Sequence, residues 1–190
     1  MIPIHLRNVP PPPETFDHIE ILSFMAKWIK PTSYLELGVR DGSSLWPISE
    51  YCEHCCGIDI DLSAIRFPPK DNITLLQTTT DEFFASLEPD NYFDMVFIDA
   101  DHSHKSSLKD FINASKYIID DGFIFLHDTY PYSETMIDAS INPSLCGECY
   151  KTAFYIKTHF IEDFEVITLP FNPGLTMVKK MKRNKQLIYL

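Results

Sequence analysis

Between Tyr34 and Ser44 the chain reads Y-L-E-L-G-V-R-D-G-S-S. An apolar run (Tyr34, Leu35, Leu37) carries one acid, Glu36. The run breaks at Gly38, loops through Val39–Asp41, and restarts after Gly42 with two serines that can open a helix. This is strand, glycine loop, helix. Such a junction presents free backbone N–H groups and the positive end of a helix dipole at one point, so an anionic or polar ligand is expected there.

The rest of the chain repeats the alternation. Ile19, Leu22, Met25, Ala26 and Ile29, preceded by Phe16, recur at three- and four-residue steps and predict an amphipathic helix over 14–29. Strands are predicted over 33–37, 55–58, 71–76, 92–98 and 123–126, with helices over 43–51, 80–87, 103–119 and 148–160. The run Phe93, Met95, Val96, Phe97, Ile98 is almost continuously apolar, as a strand covered on both faces requires. Two final strands, 164–169 and 175–178, are joined by the short connection 170–174. The expected fold class is α/β: a doubly wound, seven-stranded, mostly parallel sheet with one antiparallel strand near the C-terminus. The expected organisation is a proline-rich segment over 1–13, one domain over 14–180, and a basic tail over 181–190.

Composition narrows the function. The chain is 190 residues with net charge −11, which argues against a general nucleic-acid binder. The cations Lys179, Lys180, Lys182, Arg183 and Lys185 crowd the end and read as a solvated face. No apolar run is long enough to span a bilayer, and no leader peptide is evident, so a cytoplasmic location is expected. Five cysteines fall as Cys52, Cys55, Cys56 and Cys146, Cys149. Two C-x-x-C pairs invite a joint zinc site, but the predicted fold puts them at opposite ends of the sheet. The first pair then reads as buried thiols and the second as a weak redox candidate. The segment 129–147, with Pro131 and Pro143 and no periodicity, reads as a functional loop.

In a doubly wound sheet, ligands bind at the C-terminal strand ends. Those ends deliver Glu36, Gly38, Gly42, Ser43 and Ser44; then Asp59 and Asp61; then Thr79, Thr80 and Asp81; then Asp99, Asp101, His102 and His104; then His127 and Asp128. A nicotinamide dehydrogenase needs glycine at the middle of G-x-G-x-x-G, where this chain has Arg40. Glu36 beside the loop disfavours a diphosphate and suits a ligand with a cationic centre.

The segment Glu36-Leu37-Gly38-Val39-Arg40-Asp41-Gly42-Ser43-Ser44 resembles motif I, E-x-G-x-x-x-G-x-S, of class I S-adenosylmethionine-dependent methyltransferases. The resemblance implies that Glu36, Gly38 and Gly42 line the methionine end of the cofactor and that Ser43 or Ser44 meets its carboxylate. It implies that Asp59 takes both ribose hydroxyls, as a carboxylate can, and that Asp81 reads the adenine amine. Phe97-Ile98-Asp99-Ala100-Asp101-His102-Ser103-His104, together with Asp121–Asp128, resembles the small O-methyltransferases that modify macrolides and sugars. Part of that group holds a divalent ion between strands four and five, which implies Asp99, His127 and Asp128 as metal ligands here, with Asp99 also beside the cofactor. His127 stands where the best metal-binding members have an acid. Mg²⁺ would suit the carboxylates, while the imidazole would tolerate Mn²⁺ or Zn²⁺.

The implied chemistry is in-line transfer of a methyl group to a hydroxyl of a small polar acceptor, with Asp99 and His102 as the catalytic residues. His102, three residues after Asp99, stands where the relatives place a general base; the competing reading has His102 and His104 orienting the following helix. A regulatory cofactor-binding domain is one alternative. Methylation of a protein or nucleic acid is another, weakened by the acidic charge and by Asp99-Ala100-Asp101-His102 where N-methylating enzymes carry Asn/Asp-Pro-Pro-Tyr/Phe. The expected partner is a small-molecule acceptor, with no nucleic acid or membrane and, by analogy alone, a homodimer.

Overall fold

The structure of the protein, a computed structural model, describes residues 17–137 and 146–182. Twelve principal elements alternate: α1 His18–Ile29, β1 Ser33–Leu37, α2 Leu45–Ser49, β2 His54–Asp59, β3 Ile73–Gln77, α3 Thr80–Ser86, β4 Phe93–Ile98, α4 His104–Tyr117, β5 Ile118–His127, α5 Cys149–His159, β6 Phe164–Leu169 and β7 Leu175–Lys180. The sheet order is β3-β2-β1-β4-β5-β7-β6. β1 to β5 pair in parallel, and β7 runs antiparallel to both β5 and β6. This is the doubly wound sheet with one reversed strand that the sequence predicts. Its strand order reverses between β1 and β4.

Period-two alternation sorts the core into two layers. Tyr34, Met95, Phe97, Phe123 and Phe125 face Leu22 and Ala26 of α1 and Leu45, Trp46 and Ile48 of α2. Leu35, Val96, Ile98, Ile124 and Leu126 face Phe83 and Phe84 of α3, Phe111 and Ala114 of α4, and Ile156 of α5. Full coverage on both sides is why β4 carries no polar residue except Asp94, which accepts the Ser33 backbone N–H at 2.8 Å.

Several boundaries move for physical reasons. Of the α4 face that the apolar spacing predicts (Leu108, Phe111, Ile112, Ser115, Ile118 and Ile119), Phe111 and Ile118 are buried, and Ser107, Asp110 and Ala114 join them. Ile112 and Ile119 are exposed. β5 begins earlier than expected, and Asp120-Asp121-Gly122 lies within it where the pairing with β4 shifts register, with Asp121 at φ 63°. Lys179 and Lys180 belong to β7 rather than to a free basic stretch. Lys179 pairs with Asp121 at 2.9 Å, and Lys180 donates to the Ile118 carbonyl at 2.7 Å. The prolines at 10–13, the helix start at 14–16, and Arg183 and Lys185 lie outside the described residues, as do 138–145 of the long loop. Among the described residues, no helix is long and apolar enough to cross a membrane.

Candidate active site

The site forms where the sheet order reverses, at the C-terminal ends of β1 and β4. Gly38 sits there at φ 87°, and a Cβ on it would lie 2.3 Å from the Asp99 carbonyl oxygen. Only glycine lets these two strand ends approach so closely. The Gly38 N–H donates to Ile58 O and the Asp99 N–H to Leu37 O, both at 2.8 Å. Three adjacent strand ends are thereby held in register.

Glu36 is fully buried. Tyr34 donates its hydroxyl to one carboxyl oxygen and Ser44 to the other, each at 2.6 Å. Burial raises Glu36 to about 8, against the lowering effect of those two hydrogen bonds. At neutral pH it is therefore mostly protonated, and the expectation that its charge turns away a diphosphate does not hold. Arg40 in place of a glycine is what remains of that exclusion. Ser44 is likewise committed: its hydroxyl fastens the loop to β1 and makes no cap to α2. The Ser43 hydroxyl donates to Asp41 at 2.7 Å. Because α2 is only five residues long, its dipole is small.

Asp59 ends β2 half-buried. One oxygen accepts the Arg40 N–H at 2.7 Å and the other the Asp61 N–H at 3.0 Å. A carboxylate has about four acceptor positions, so capacity remains for a diol. Asp81 lies in the first turn of α3, where its carboxylate pairs with Lys109 of α4 at 2.6 Å. The cap of α3 is Thr79, in a capping box with Glu82.

The β4 and β5 ends carry the charge. His102 Nε2 lies 3.1 Å from Asp128 Oδ2 and 3.8 Å from Asp99 Oδ1. His127 Nδ1 lies 3.1 Å from Asp99 Oδ1 and 3.3 Å from Asp128 Oδ2. Asp128 is nearly buried and holds φ 59°, a conformation costly for a non-glycine residue and common at functional sites. Burial pushes Asp99 up, but the facing imidazoles of His127 and His102 outweigh it and hold the carboxyl well below its usual range. Burial likewise opposes charge on His127, and Asp99 and Asp128 overcome it, raising the imidazole to about 10.

The structure brings a second imidazole, His102, to the expected metal set. The ligand atoms of Asp99, His102 and Asp128 lie within 4.8 Å of one another and could hold an ion. His127 contacts both carboxylates through Nδ1. Its ring packs on His18, centroids 4.0 Å apart, and its Nε2 is buried without a hydrogen-bond partner. His104 faces away from this cluster, with Nδ1 on the Thr152 hydroxyl at 2.9 Å, which is the helix-orienting role. Asp101 closes a local turn on the Ser103 N–H at 2.7 Å.

Residues to which the sequence assigned no role in methyl transfer also reach the cleft. Ser107 and Cys149 line it beside Asp99, His102 and His127. His18 stacks behind it. The C-x-x-C spacing was the one available signal for Cys149.

A family model described as a methyltransferase domain matches residues 35–129, half of the chain, from the glycine loop through Asp128. The chain belongs to this methyltransferase family. No curated protein matches it. Solved structures similar to this methyltransferase include an S-adenosylhomocysteine-bound methyltransferase of Podospora anserina, with TM-score 0.67 and 18% identity over 86% of this chain and 78% of that one. An O-methyltransferase of Bacillus cereus in complex with S-adenosylhomocysteine has TM-score 0.64 and 13% identity, covering 89% and 84% of the two chains. The O-methyltransferase TomG of Streptomyces achromogenes, involved in tomaymycin synthesis and solved with S-adenosylmethionine, has TM-score 0.64 and 15% identity, covering 86% and 79%. At these identities the likeness shows the fold.

Proposed function

We propose that this methyltransferase moves a methyl group from S-adenosylmethionine to a hydroxyl of a small polar acceptor such as a sugar, polyol or natural product. The observation that carries the reading is the convergence of Asp99, His102 and Asp128 beside Gly38, at the point where the strand order reverses. Cofactor-bound O-methyltransferases of the same fold support it.

S-adenosylmethionine supplies an electrophilic methyl on a sulfonium. Around it, Gly38 leaves room for the backbone to close on the donor's methionine end, and Asp59 keeps acceptor capacity for its ribose. Glu36 and Ser44 act indirectly by pinning the loop. The acceptor hydroxyl must lose its proton as the oxygen–carbon bond forms, and the His102 imidazole is the base that takes it, oriented by the contact of its Nε2 with Asp128. The positive charge thus gained is shared with two carboxylates already in place, which lowers the cost of the transfer.

The donor set of Asp99, His102 and Asp128 also fits a divalent ion. When bound, such an ion would lower the pKa of an acceptor hydroxyl. The test is release of S-adenosylhomocysteine against a panel of hydroxyl acceptors. Acceptor-dependent release that His102→Ala abolishes supports the reading. Donor binding with no turnover on any acceptor would make the domain a regulatory binder instead.

A further inference from the structure

The helix α1 has two apolar sides, and only one of them is covered. Leu22 and Ala26 are fully buried, in the core layer that holds Tyr34 and Phe97. On the opposite side Phe24 is 68% exposed and Trp28 69% exposed. Residues four apart are neighbours on a helix surface, so the two rings form one continuous apolar step. Apolar residues scattered singly over a surface are ordinary. Two large aromatic rings side by side, each more than two-thirds exposed, match the centre of a protein–protein interface.

The charges beside the rings say what covers them. Glu20 stands in the first turn of α1 and Lys27 in the last. Both are exposed, and among the described residues neither is in an ion pair. At 3.6 residues per turn, Glu20, Phe24, Lys27 and Trp28 fall within an arc of about 100°. A stripe that runs from acid through ring to base is complementary to itself once reversed. In an antiparallel pair with its two-fold axis level with Ser23 and Phe24, each Glu20 faces Lys27 of the partner subunit, the Phe24 rings meet near the axis, and the two helix dipoles oppose. An anionic membrane is the poorer occupant for a chain of net charge −11. α1 also lays His18 against His127, so a single helix joins this face to the candidate site.

We propose that the outer face of α1 is the interface of a two-fold homodimer, with Phe24 and Trp28 as its apolar centre and Glu20 paired with Lys27 of the partner subunit on either side. One helix packed on its twin is at the small end for a specific interface. The dimer therefore dissociates on dilution, with a dissociation constant of roughly micromolar order.

The experiment is analytical ultracentrifugation of the full chain across the micromolar range. It compares the wild type with Phe24→Asp, Trp28→Ser, Glu20→Lys, Lys27→Glu and the double variant that carries both charge reversals. Thermal melts check folding. The wild type should pass from a 22.0 kDa species to one of twice that mass as concentration rises. Phe24→Asp and Trp28→Ser should stay monomeric. Each single charge reversal sets like charges opposite one another at both ends of the pair, and should weaken the dimer by about tenfold or more. The double variant restores the pairing with its signs exchanged and should return to within about threefold of the wild type. A wild type that is monomeric throughout overturns the proposal. So does a dimer that none of the variants weakens, because its interface then lies elsewhere. Single reversals that weaken the dimer without rescue in the double variant overturn the antiparallel pairing. If an aromatic variant fails to fold, the charge series decides alone, since both of its positions are exposed.

Discussion

The two halves of the cleft are built differently. The half at β1 and β2 is made from residues close in the chain, Glu36 to Ser44 and then Asp59, held by backbone N–H groups and two hydroxyls on a buried acid. The half at β4 and β5 gathers Asp99, His102, His127 and Asp128 from the ends of two strands, held by ion pairs and by the turn clamped to His102. The first half is shaped by steric necessity; the second is poised by charge. A donor site can be written as a short motif, because its work is to fit one fixed molecule. The reacting end must collect groups of opposite charge, and only the topology brings those together.

The comparison can be broken by separating binding from turnover. The largest effect is expected at Asp128→Asn. Asparagine tolerates the left-handed conformation, so charge is removed and the backbone kept. Turnover should fall by about 10² to 10⁴, with donor affinity within about threefold. An equal loss of donor affinity would show that the halves are not independent.

Next is Gly38→Ala. At φ 87°, with a Cβ 2.3 Å from Asp99 O, it should destabilise by about 3 kcal/mol, read by urea unfolding, and abolish donor binding. Full stability would mean that the β1–β4 approach is looser than the structure shows.

Glu36→Gln sharpens the donor half. The folded-state value of Glu36, about 8, lies above its ordinary 4.5, so the folded protein holds the proton that the unfolded chain releases. Wild-type stability should therefore fall as pH rises from about 4.5 to about 8 and level off above. The glutamine variant should lose that slope, a difference on the order of a few kcal/mol at pH 8. A slope unchanged in the variant would place the titration elsewhere.

Asp59→Ala should raise the donor dissociation constant about tenfold to a hundredfold and leave turnover at saturating donor nearly unchanged. The smallest effect is expected at Asp81→Asn. Its pair with Lys109 is exposed and contributes under about 1 kcal/mol. Donor affinity falling more than about threefold there would support the adenine-reading role that the sequence suggests.

Much of the fold was legible because period-two alternation and continuous apolar runs survive folding intact; β1 and β6 fall where the pattern puts them. The α4 face was read only in part, because Asp110 and Ser107 are buried polar residues. Asp110 is raised to about 6 by burial, partly offset by a hydrogen bond from Thr80. No apolar periodicity announces such a residue. In the site, Gly38 and Asp59 could be read from local spacing. That His102 joins His127 against Asp99 and Asp128 could not, because it depends on how the β4 and β5 ends meet in space. The link between the long loop and His102 runs through one backbone hydrogen bond from Glu148, which leaves no mark in residue type.

The most direct test of the account is calorimetric titration of S-adenosylhomocysteine into the wild type and Asp59→Ala. The account predicts one site with roughly micromolar affinity, weakened at least about tenfold in the variant. No binding by the folded wild type, or binding of NADH in its place, would contradict it.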